Sequence, residues 1–168
     1  MPAAVLIAGA NGAGKTTLAR RLLPLVYPDA LFLNADEIQR ATVFSTPAAA
    51  GRELIRQVRA SLDQGESFVV ETTLSSSSYA RQFADWRARG YEIVLHYLEV
   101  VSADFAVARV ARRVAGGGHD IPEKDIRRRW ARGVELFNAV YRPSVDMWYH
   151  YRVDERGPEL VKSSESLR

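Results

Sequence analysis

Residues 4–16, AVLIAGANGAGKT, decide the fold of this 168-residue chain. AVLIAG (4–9) is a continuous apolar run, which is typical of a strand buried on both faces of a parallel sheet. GANGAGKT (9–16) follows at once and matches the pattern G-x-x-x-x-G-K-[ST], a phosphate-binding loop between a strand and a helix. The stretch therefore predicts an α/β fold of the P-loop NTPase type, with an anion site at the end of its first strand.

Each residue type in this loop has a chemical reason. Gly12 and Gly14 let the backbone curl so that several amides point at one anion, and the start of the next helix adds a partial positive charge. Lys15 can reach the outer phosphates of a nucleotide, and the Thr16 hydroxyl suits Mg²⁺, which prefers oxygen ligands. A glycine-rich turn with an accidental lysine is the alternative. We predict that the phosphates of a nucleotide are bound by Asn11, Gly12, Ala13, Gly14, Lys15, Thr16 and Thr17 and that Thr16 binds Mg²⁺.

Apolar runs alternate with helical patterns along the rest of the chain. This order favours a mainly parallel sheet with helices on both faces. The predicted strands number five and lie at 4–9, 30–35, 67–72, 91–100 and 148–153, the last at an edge of the sheet. No repeat or linker divides the chain, so we predict a single domain over residues 1–168 with a disordered tail from about residue 162.

Helix boundaries are marked by proline and by capping residues. The first helix is expected over 15–23, since Pro24 follows it. Thr46-Pro47 is a helix-start signal, Ser102 can cap another helix, and Pro122 restarts a helix after a triple glycine.

The composition narrows the class of protein. The chain has no cysteine, which excludes disulfides and thiolate metal sites and permits a cytoplasmic location. Its formal net charge of +3 comes from 20 arginines and 3 lysines against 20 acids, and it fits an anionic ligand such as phosphate. We find no continuous basic stripe, and the apolar N-terminal run is too short for a membrane span. Nucleic acid and membranes are therefore not expected as partners.

Two acids follow the predicted second and third strands. Asp36 comes just past ALFLNA (30–35), and Glu71 lies at the end of SFVVET (67–72). If strands one and three are neighbours, both carboxylates lie on the same rim of the sheet as Lys15. A carboxylate there can accept a proton from a substrate hydroxyl or hold a water on Mg²⁺. The alternatives are that Asp36 caps the next helix and that Glu71 is a solvated strand end.

Further candidates for substrate binding surround these acids. Thr72 and Thr73, in the hydroxyl-rich stretch ETTLSSSS (71–78), either hydrogen-bond a polar substrate or cap the next helix. For the four serines of this stretch we favour capping. Arg40, four residues after Asp36, is also a candidate substrate-binding residue.

Arginines flank the triple glycine at 116–118. Arg109, Arg112 and Arg113 are spaced to share one helix face, and a second group, 127–129, lies beyond the glycines. This arrangement predicts a lid over about 109–129 that closes over the phosphates and supplies cations. The alternative for any single arginine is a solvated helix face.

Four segments occur in a characteristic order, namely GANGAGKTT, FLNADEI, VVETTLS and GGGHDIPEKDIRRRW. Together they resemble the zeta toxin family of small P-loop kinases, in particular its compact bacterial members, over roughly residues 4–155. The resemblance implies a fold like that of nucleoside-monophosphate kinases, with ATP·Mg²⁺ as the donor. Characterised members phosphorylate a hydroxyl of UDP-N-acetylglucosamine. An antitoxin protein is a further candidate partner, although no antitoxin segment is visible within the sequence.

The resemblance also implies roles for individual residues. Asp36 matches the catalytic base, and Glu71 matches the acid that contacts the sugar nucleotide. Arg112 or Arg113 matches one lid arginine that neutralises the phosphates, and Arg128 is proposed for another. The predicted catalytic set is Lys15, Asp36, Arg112, Arg113 and Arg128.

These observations predict an ATP- and Mg²⁺-dependent phosphotransferase that acts on a hydroxyl of a small molecule in the cytoplasm. The chain is short and has little room for an elaborate sugar-nucleotide pocket. A kinase of another small alcohol, such as a nucleoside, sugar or antibiotic, therefore stays open as an alternative. A second alternative is an ATP-binding switch or partner-binding module without transferase activity. A kinase of RNA or DNA ends is disfavoured, because the sequence lacks a basic stripe.

Overall fold

The computed structural model describes residues 1–41 and 46–165, which are built around one six-stranded sheet. The strands are β1 (Ala3–Gly9), β2 (Leu31–Leu33), β3 (Phe68–Thr72), β4 (Glu92–Val100), β5 (Met147–Asp154) and β6 (Gly157–Ser163). Their order across the sheet is β2-β3-β1-β4-β5-β6. The first five strands are parallel, and β6 runs antiparallel to β5.

Helices cover both faces of this sheet. They are α1 (Lys15–Val26), α2 (Ala35–Ala41), α3 (Pro47–Gln64), α4 (Phe83–Ala88), α5 (Ala103–Ala115), α6 (Glu123–Leu136) and α7 (Arg142–Ser144). A 3₁₀ turn (Ala80–Gln82) precedes α4, and a π-helical turn (Phe137–Tyr141) joins α6 to α7. The predicted α/β class, with a mainly parallel sheet between two helical layers, is confirmed.

The predicted number of strands is wrong, because residues 157–163 form a sixth strand. Asp154 accepts hydrogen bonds from the backbone amide and the guanidinium of Arg156, and this turn reverses the chain. The edge predicted for β5 is therefore occupied by β6. The tail predicted from residue 162 starts too early, since β6 extends to Ser163; residues 166–168 lie outside the described part of the chain.

β1 explains why AVLIAG is apolar without interruption. Val5 and Ile7 pack into a core with α1 and α5, whereas Ala4, Leu6 and Ala8 pack into a second core with α3 and α4. All five side chains are fully buried. Because successive residues of a strand point to opposite faces, a strand between two helical layers needs an apolar residue at every position.

The predicted helix starts are confirmed. The Thr46 hydroxyl accepts a hydrogen bond from the Ala49 amide, and the Ser102 hydroxyl accepts one from the Phe105 amide. Helix α6 begins directly after Pro122. In each case the side chain or the fixed proline φ suits the first turn, where backbone amides lack helical partners.

Two predicted boundaries differ from the structure. α1 continues through Pro24 to Val26, because a proline in the last turn removes only one hydrogen bond of a helix that is already formed. The second strand ends at Leu33 rather than at residue 35, since Asn34 caps α2 instead of extending the strand.

The sheet order brings the predicted site residues together. β1 lies between β3 and β4, and β2 pairs with β3, so the carboxyl ends of the first three strands adjoin. Glu71 lies opposite Ile7 in the β1–β3 register, close to the start of the phosphate loop. The expectation that strands one and three are neighbours is confirmed. No helix in the described ranges is long and apolar enough to cross a membrane.

His96, in the middle of β4, makes stability depend on pH. Its ring is buried and hydrogen-bonded to the hydroxyls of Tyr27 and Tyr151. Burial lowers the pKa of His96 from 6.5 to about 4. As the pH falls from 6.5 towards 4, the His96 ring becomes protonated in the unfolded chain but stays neutral in the folded chain. The free energy of unfolding should therefore decrease by about 2 kcal/mol between about pH 7.5 and about pH 5 through this residue.

Urea unfolding at both pH values measures this contribution. His96→Gln should lose that part of the pH dependence, whatever its stability near neutral pH. His119→Gln is the matched control, because His119 is exposed and its loss should leave the pH dependence unchanged. Identical pH dependence in the wild type and in His96→Gln would contradict the assignment.

Candidate active site

The phosphate loop is shaped by two glycines with left-handed backbone. Gly12 has φ 80° and Gly14 has φ 89°. A Cβ on Gly12 would lie 2.9 Å from the carbonyl oxygen of Ala106 in α5, so this position excludes other residues on two grounds. The loop is thus packed against α5, which brings the arginines of that helix towards the loop.

Lys15 is a buried cation with incomplete compensation. Its Nζ lies 3.8 Å from Glu71 Oε1, and its side chain is 8% exposed. Burial lowers the pKa of Lys15, while the carboxylates of Glu71 and Asp36 raise it and the guanidinium groups of Arg113 and Arg129 lower it. A bound anion would offset this burial, so the surroundings of Lys15 suit a phosphate group.

Glu71 is held at the centre of the site. Its Oε2 accepts hydrogen bonds from the Thr16 hydroxyl at 2.7 Å and from Asn34 Nδ2 at 2.8 Å. Its side chain is 13% exposed, so it is not a solvated strand end. Because the Thr16 hydroxyl uses its hydrogen in the bond to Glu71, the lone pairs of its oxygen stay available to a cation. Mg²⁺ prefers oxygen ligands, so the Thr16 hydroxyl fits this ion.

Asp36 does not cap α2 but lies in the first turn of that helix. The cap is Asn34, whose Oδ1 accepts hydrogen bonds from the amides of Asp36 at 2.8 Å and Glu37 at 3.3 Å. The Asp36 carboxylate is exposed and makes no hydrogen bond or ion pair with another residue that the structure describes. It is therefore available to a ligand.

Two cavities meet at these residues. One, of about 310 Å³, is lined by the phosphate loop and by Arg109 and Arg113 of α5. The other, of about 260 Å³, is lined by Thr72, Thr73 and Tyr79. Four residues line both cavities, namely Asn11, Lys15, Asp36 and Glu71. The lysine and the two acids thus lie between a cationic cavity and one that is rich in hydroxyls.

The arginines of the predicted lid point in different directions. Arg113 lines the phosphate cavity, but Arg112 lines a separate groove with Phe105 and Arg156. Arg112 therefore does not line the phosphate cavity, contrary to its predicted role. Adjacent residues of a helix point about 100° apart, which is why Arg112 and Arg113 face different cavities.

Arg128 is also placed away from the site. Its guanidinium forms an ion pair of 3.0 Å with Asp125 on the outer face of α6, and its side chain is 63% exposed. Arg129 occupies the place that was predicted for Arg128, since its Nη1 donates a hydrogen bond of 3.0 Å to Asn11 Oδ1 in the phosphate loop.

Three arginines near the loop lack acidic partners. Arg109, Arg113 and Arg129 form no ion pair within the described part of the chain. By contrast, Arg127 binds Asp104 at 2.7 Å on the exposed side of the same region. Guanidinium groups that face a cavity and form no ion pair with a carboxylate favour an anionic ligand there.

The triple glycine closes the end of α5. The amides of Gly117 and Gly118 donate to the carbonyls of Val114 and Arg113, both at 2.9 Å. A Cβ on Gly118 would lie 2.7 Å from Arg113 Cγ, and Arg113 Nη2 donates to the carbonyl of His119 at 2.9 Å. The turn therefore packs around the Arg113 side chain and orients it. Movement of this segment as a lid stays a prediction.

The remaining predicted residues have mixed positions. The Thr72 hydroxyl accepts from the Leu74 amide at 3.2 Å and the Thr73 hydroxyl pairs with Ser75 at 3.0 Å, so both hold the turn while they line the second cavity. Arg40 lies on α2 and lines a different cavity of about 280 Å³, which Asp36 and His119 also line. Ala13 is buried and lines neither of the two main cavities, whereas Thr17 lines the phosphate cavity.

Several residues of the site were not among the predicted catalytic and binding residues. Asn34 precedes a helix and is a preferred capping residue, which would have identified it. Arg129 lies three residues after the buried Ile126, a spacing that places it on the inner face of α6. Tyr79 gave no signal beyond its place in an apolar pattern.

Comparison with protein families gives one match that spans most of the chain. The family model described as "Zeta toxin" matches residues 1–146. A curated relative, an uncharacterised protein of Haemophilus influenzae, is 28% identical over 131 residues, which are 76% of this chain and 91% of the relative.

Solved structures agree on the fold. The chain is similar to a structure of the PezAT chromosomal toxin–antitoxin system of Streptococcus pneumoniae, with a TM-score of 0.68, 18% identity and coverage of 98% of this chain and 72% of the other. It is also similar to AvrRxo1-ORF1:-ORF2 with ATP (TM-score 0.69, 16% identity, 97% and 58% covered). A gluconokinase from Sinorhizobium meliloti aligns with a TM-score of 0.57 at 13% identity, with 92% and 84% covered. The predicted P-loop kinase fold is confirmed.

Proposed function

The chain belongs to the zeta toxin family, and we propose on that premise that it is an ATP- and Mg²⁺-dependent phosphotransferase acting on a hydroxyl of a small molecule. One observation carries the proposal. Lys15, Asp36 and Glu71 form the shared wall of two cavities, of which one is lined by Arg109 and Arg113 and the other by hydroxyl groups and Arg129. Such a wall has a donor side and an acceptor side, as phosphoryl transfer requires.

ATP occupies the cationic cavity in this proposal. The amides of residues 11–17 and the Lys15 ammonium hold its outer phosphates. Arg109 lines this cavity and also the groove that contains Phe105 and Arg112. The nucleoside therefore extends past Arg109 into that groove, where guanidinium and phenyl groups can contact a base.

Mg²⁺ fits beside the Thr16 hydroxyl. Thr16 would hold the ion, and Glu71 orients the Thr16 hydroxyl by accepting a hydrogen bond from it. An ion held there would supply positive charge that offsets the charge of the phosphates.

Asp36 is the base in this mechanism. It accepts the proton of the acceptor hydroxyl while the hydroxyl oxygen forms a bond to the γ-phosphorus and the bond from that phosphorus to the leaving oxygen of ADP breaks. Lys15, Arg113 and Arg129 stabilise the charge that spreads over the transferring group. Glu71, with Thr72 and Thr73 beside it, contacts the acceptor.

The resemblance to characterised zeta toxins makes UDP-N-acetylglucosamine the first acceptor to test. The size of the second cavity favours another candidate, since about 260 Å³ is small for a sugar nucleotide. A kinase of a smaller alcohol, such as a sugar, nucleoside or antibiotic, is therefore the second proposal. We also propose a cytoplasmic location. An antitoxin protein is a candidate partner, and the likeness to the PezAT structure supports this second proposal.

A transfer assay tests the proposal. Protein is mixed with γ-labelled ATP, Mg²⁺ and a panel of acceptors that includes UDP-N-acetylglucosamine, sugars and nucleosides. Lys15→Ala should lower transfer by about 10²–10³-fold, because a preorganised cation at the transferring phosphate is lost. Lys124→Ala, on the exposed side of α6, is the matched control and should keep full transfer. Equal transfer by the wild type and by Lys15→Ala would exclude this site.

A further inference from the structure

We propose that Asn34 is a positioning residue that sets the relative placement of the two acids, Asp36 and Glu71. The expected effect of Asn34 on turnover rests on the proposed function, whereas the contacts of Asn34 can be tested without an activity assay. Asn34 lies at the junction of β2 and α2 and is 7% exposed.

Its amide group bonds in two directions. The oxygen Oδ1 accepts from the amides of Asp36 and Glu37 at the start of α2, at 2.8 and 3.3 Å. The nitrogen Nδ2 donates to Glu71 Oε2 at 2.8 Å. One side chain therefore joins the helix that carries the proposed base to the acid that faces Thr16.

The sheet register fixes where this side chain lies. Leu33 is 1% exposed and pairs with Val70, the residue before Glu71. Because β2 and β3 are parallel, the next residue on each strand also lies side by side, which places Asn34 beside Glu71. A buried leucine thus anchors the contact.

The chemistry requires an amide at this position. An aspartate caps a helix as well as an asparagine does, but its carboxylate has no proton to donate at neutral pH. It would also place a second negative charge against Glu71, and the two carboxylates would repel each other. A serine keeps a capping oxygen but lacks the amide nitrogen.

Other charged groups lie near Asn34 and Glu71. Lys15 from α1, Asp36 from α2, Arg113 from α5 and Arg129 from α6 all act on the same region. Tyr79 also lines the cavity, and burial raises its pKa to about 12, so it stays neutral over the working range. Loss of the amide donor leaves Glu71 with Thr16 as its remaining hydrogen-bond donor among the described contacts.

Kinetics of Asn34→Asp and Asn34→Ser test the role in turnover. Both should lower kcat by about 10–100-fold, which is typical when the group that orients a functional side chain is lost, with the KM for ATP changed by no more than about threefold. The deficit of Asn34→Asp should shrink as the pH falls, because the introduced carboxyl gains a proton that it can donate to Glu71. The deficit of Asn34→Ser should stay constant. A residue that only caps α2 would give Asn34→Asp the full activity of the wild type at every pH, and that result would overturn the proposal.

Thermal unfolding tests the contact independently of any reaction. Asn34→Asp should lower Tm by about 4 °C or more, through the loss of one buried hydrogen bond and the new repulsion. Adding Glu71→Gln should restore Tm, because the new amide can donate to the introduced carboxylate. Strictly additive Tm shifts in the two variants would overturn the contact. If the wild type transferred phosphate to no acceptor, the proposed function would be wrong. The Tm values of the single variants and the double variant would still test the contact between Asn34 and Glu71.

Discussion

Asp36→Asn is expected to lower kcat by about 10²–10⁴-fold, which is the usual contribution of a positioned general base. The substitution keeps the size of the side chain and removes its ability to accept a proton. The backbone amide of Asp36, which donates to Asn34, is unaffected, so α2 should keep its cap. ATP affinity should change little, because the phosphate loop is untouched.

Transfer rates and nucleotide binding, measured on the same preparation, separate these effects. Glu37→Gln is the matched control, since Glu37 is the adjacent acid and its carboxylate faces Arg20 at 3.9 Å rather than the cavities. It should retain activity within about twofold, as surface substitutions commonly do. Near-normal turnover of Asp36→Asn with intact ATP binding would exclude Asp36 as the base.

The architecture around β1 could be predicted because each of its signals is local. A strand that is apolar throughout, a glycine loop and a helix follow one another in AVLIAGANGAGKT, and the structure has them at 3–26. The rim that joins Lys15, Asp36 and Glu71 could also be predicted, because parallel strands place their carboxyl ends on one side. What that prediction needed was the adjacency of β1 and β3, which the structure provides.

The sixth strand could not be predicted in the same way. Residues 157–163, GPELVKS, are largely exposed, and their pairing depends on the turn that Asp154 and Arg156 stabilise. An exposed edge strand lacks the apolar alternation that identifies a strand in a sequence.

The choice among adjacent arginines needs information from outside the charged run itself. Arg128 and Arg129 have the same chemistry, and only the rotation of α6 about its axis distinguishes them. Ile126, which packs into the core, sets that rotation and turns Arg129 towards Asn11. A charged run such as RRR carries no information on this rotation, and the apolar residues around it do.

Arg129→Met should therefore lower kcat by about 10³-fold or more, as the loss of an arginine that stabilises the transferring phosphoryl group does in other phosphotransferases. Methionine keeps most of the length and apolar surface of the stem while it removes the charge and the hydrogen bond to Asn11. Arg129→Lys should give an intermediate loss, since an ammonium keeps the charge without the planar fork.

Arg128→Met is the matched control for that experiment, since it makes the same chemical change one residue away. The Arg128 guanidinium pairs with Asp125 at the surface, and exposed pairs of this kind contribute little to stability. Single-turnover transfer and ATP binding, measured for both variants, distinguish the two positions. If Arg128→Met lost activity while Arg129→Met retained it, the rotation of α6 in the working enzyme would differ from the one described, and Arg128 would be the arginine that reaches the phosphates. If both variants lost activity, the helix would have to present each guanidinium to the substrate in turn, which requires movement of α6 during the reaction and would give direct support to the predicted lid.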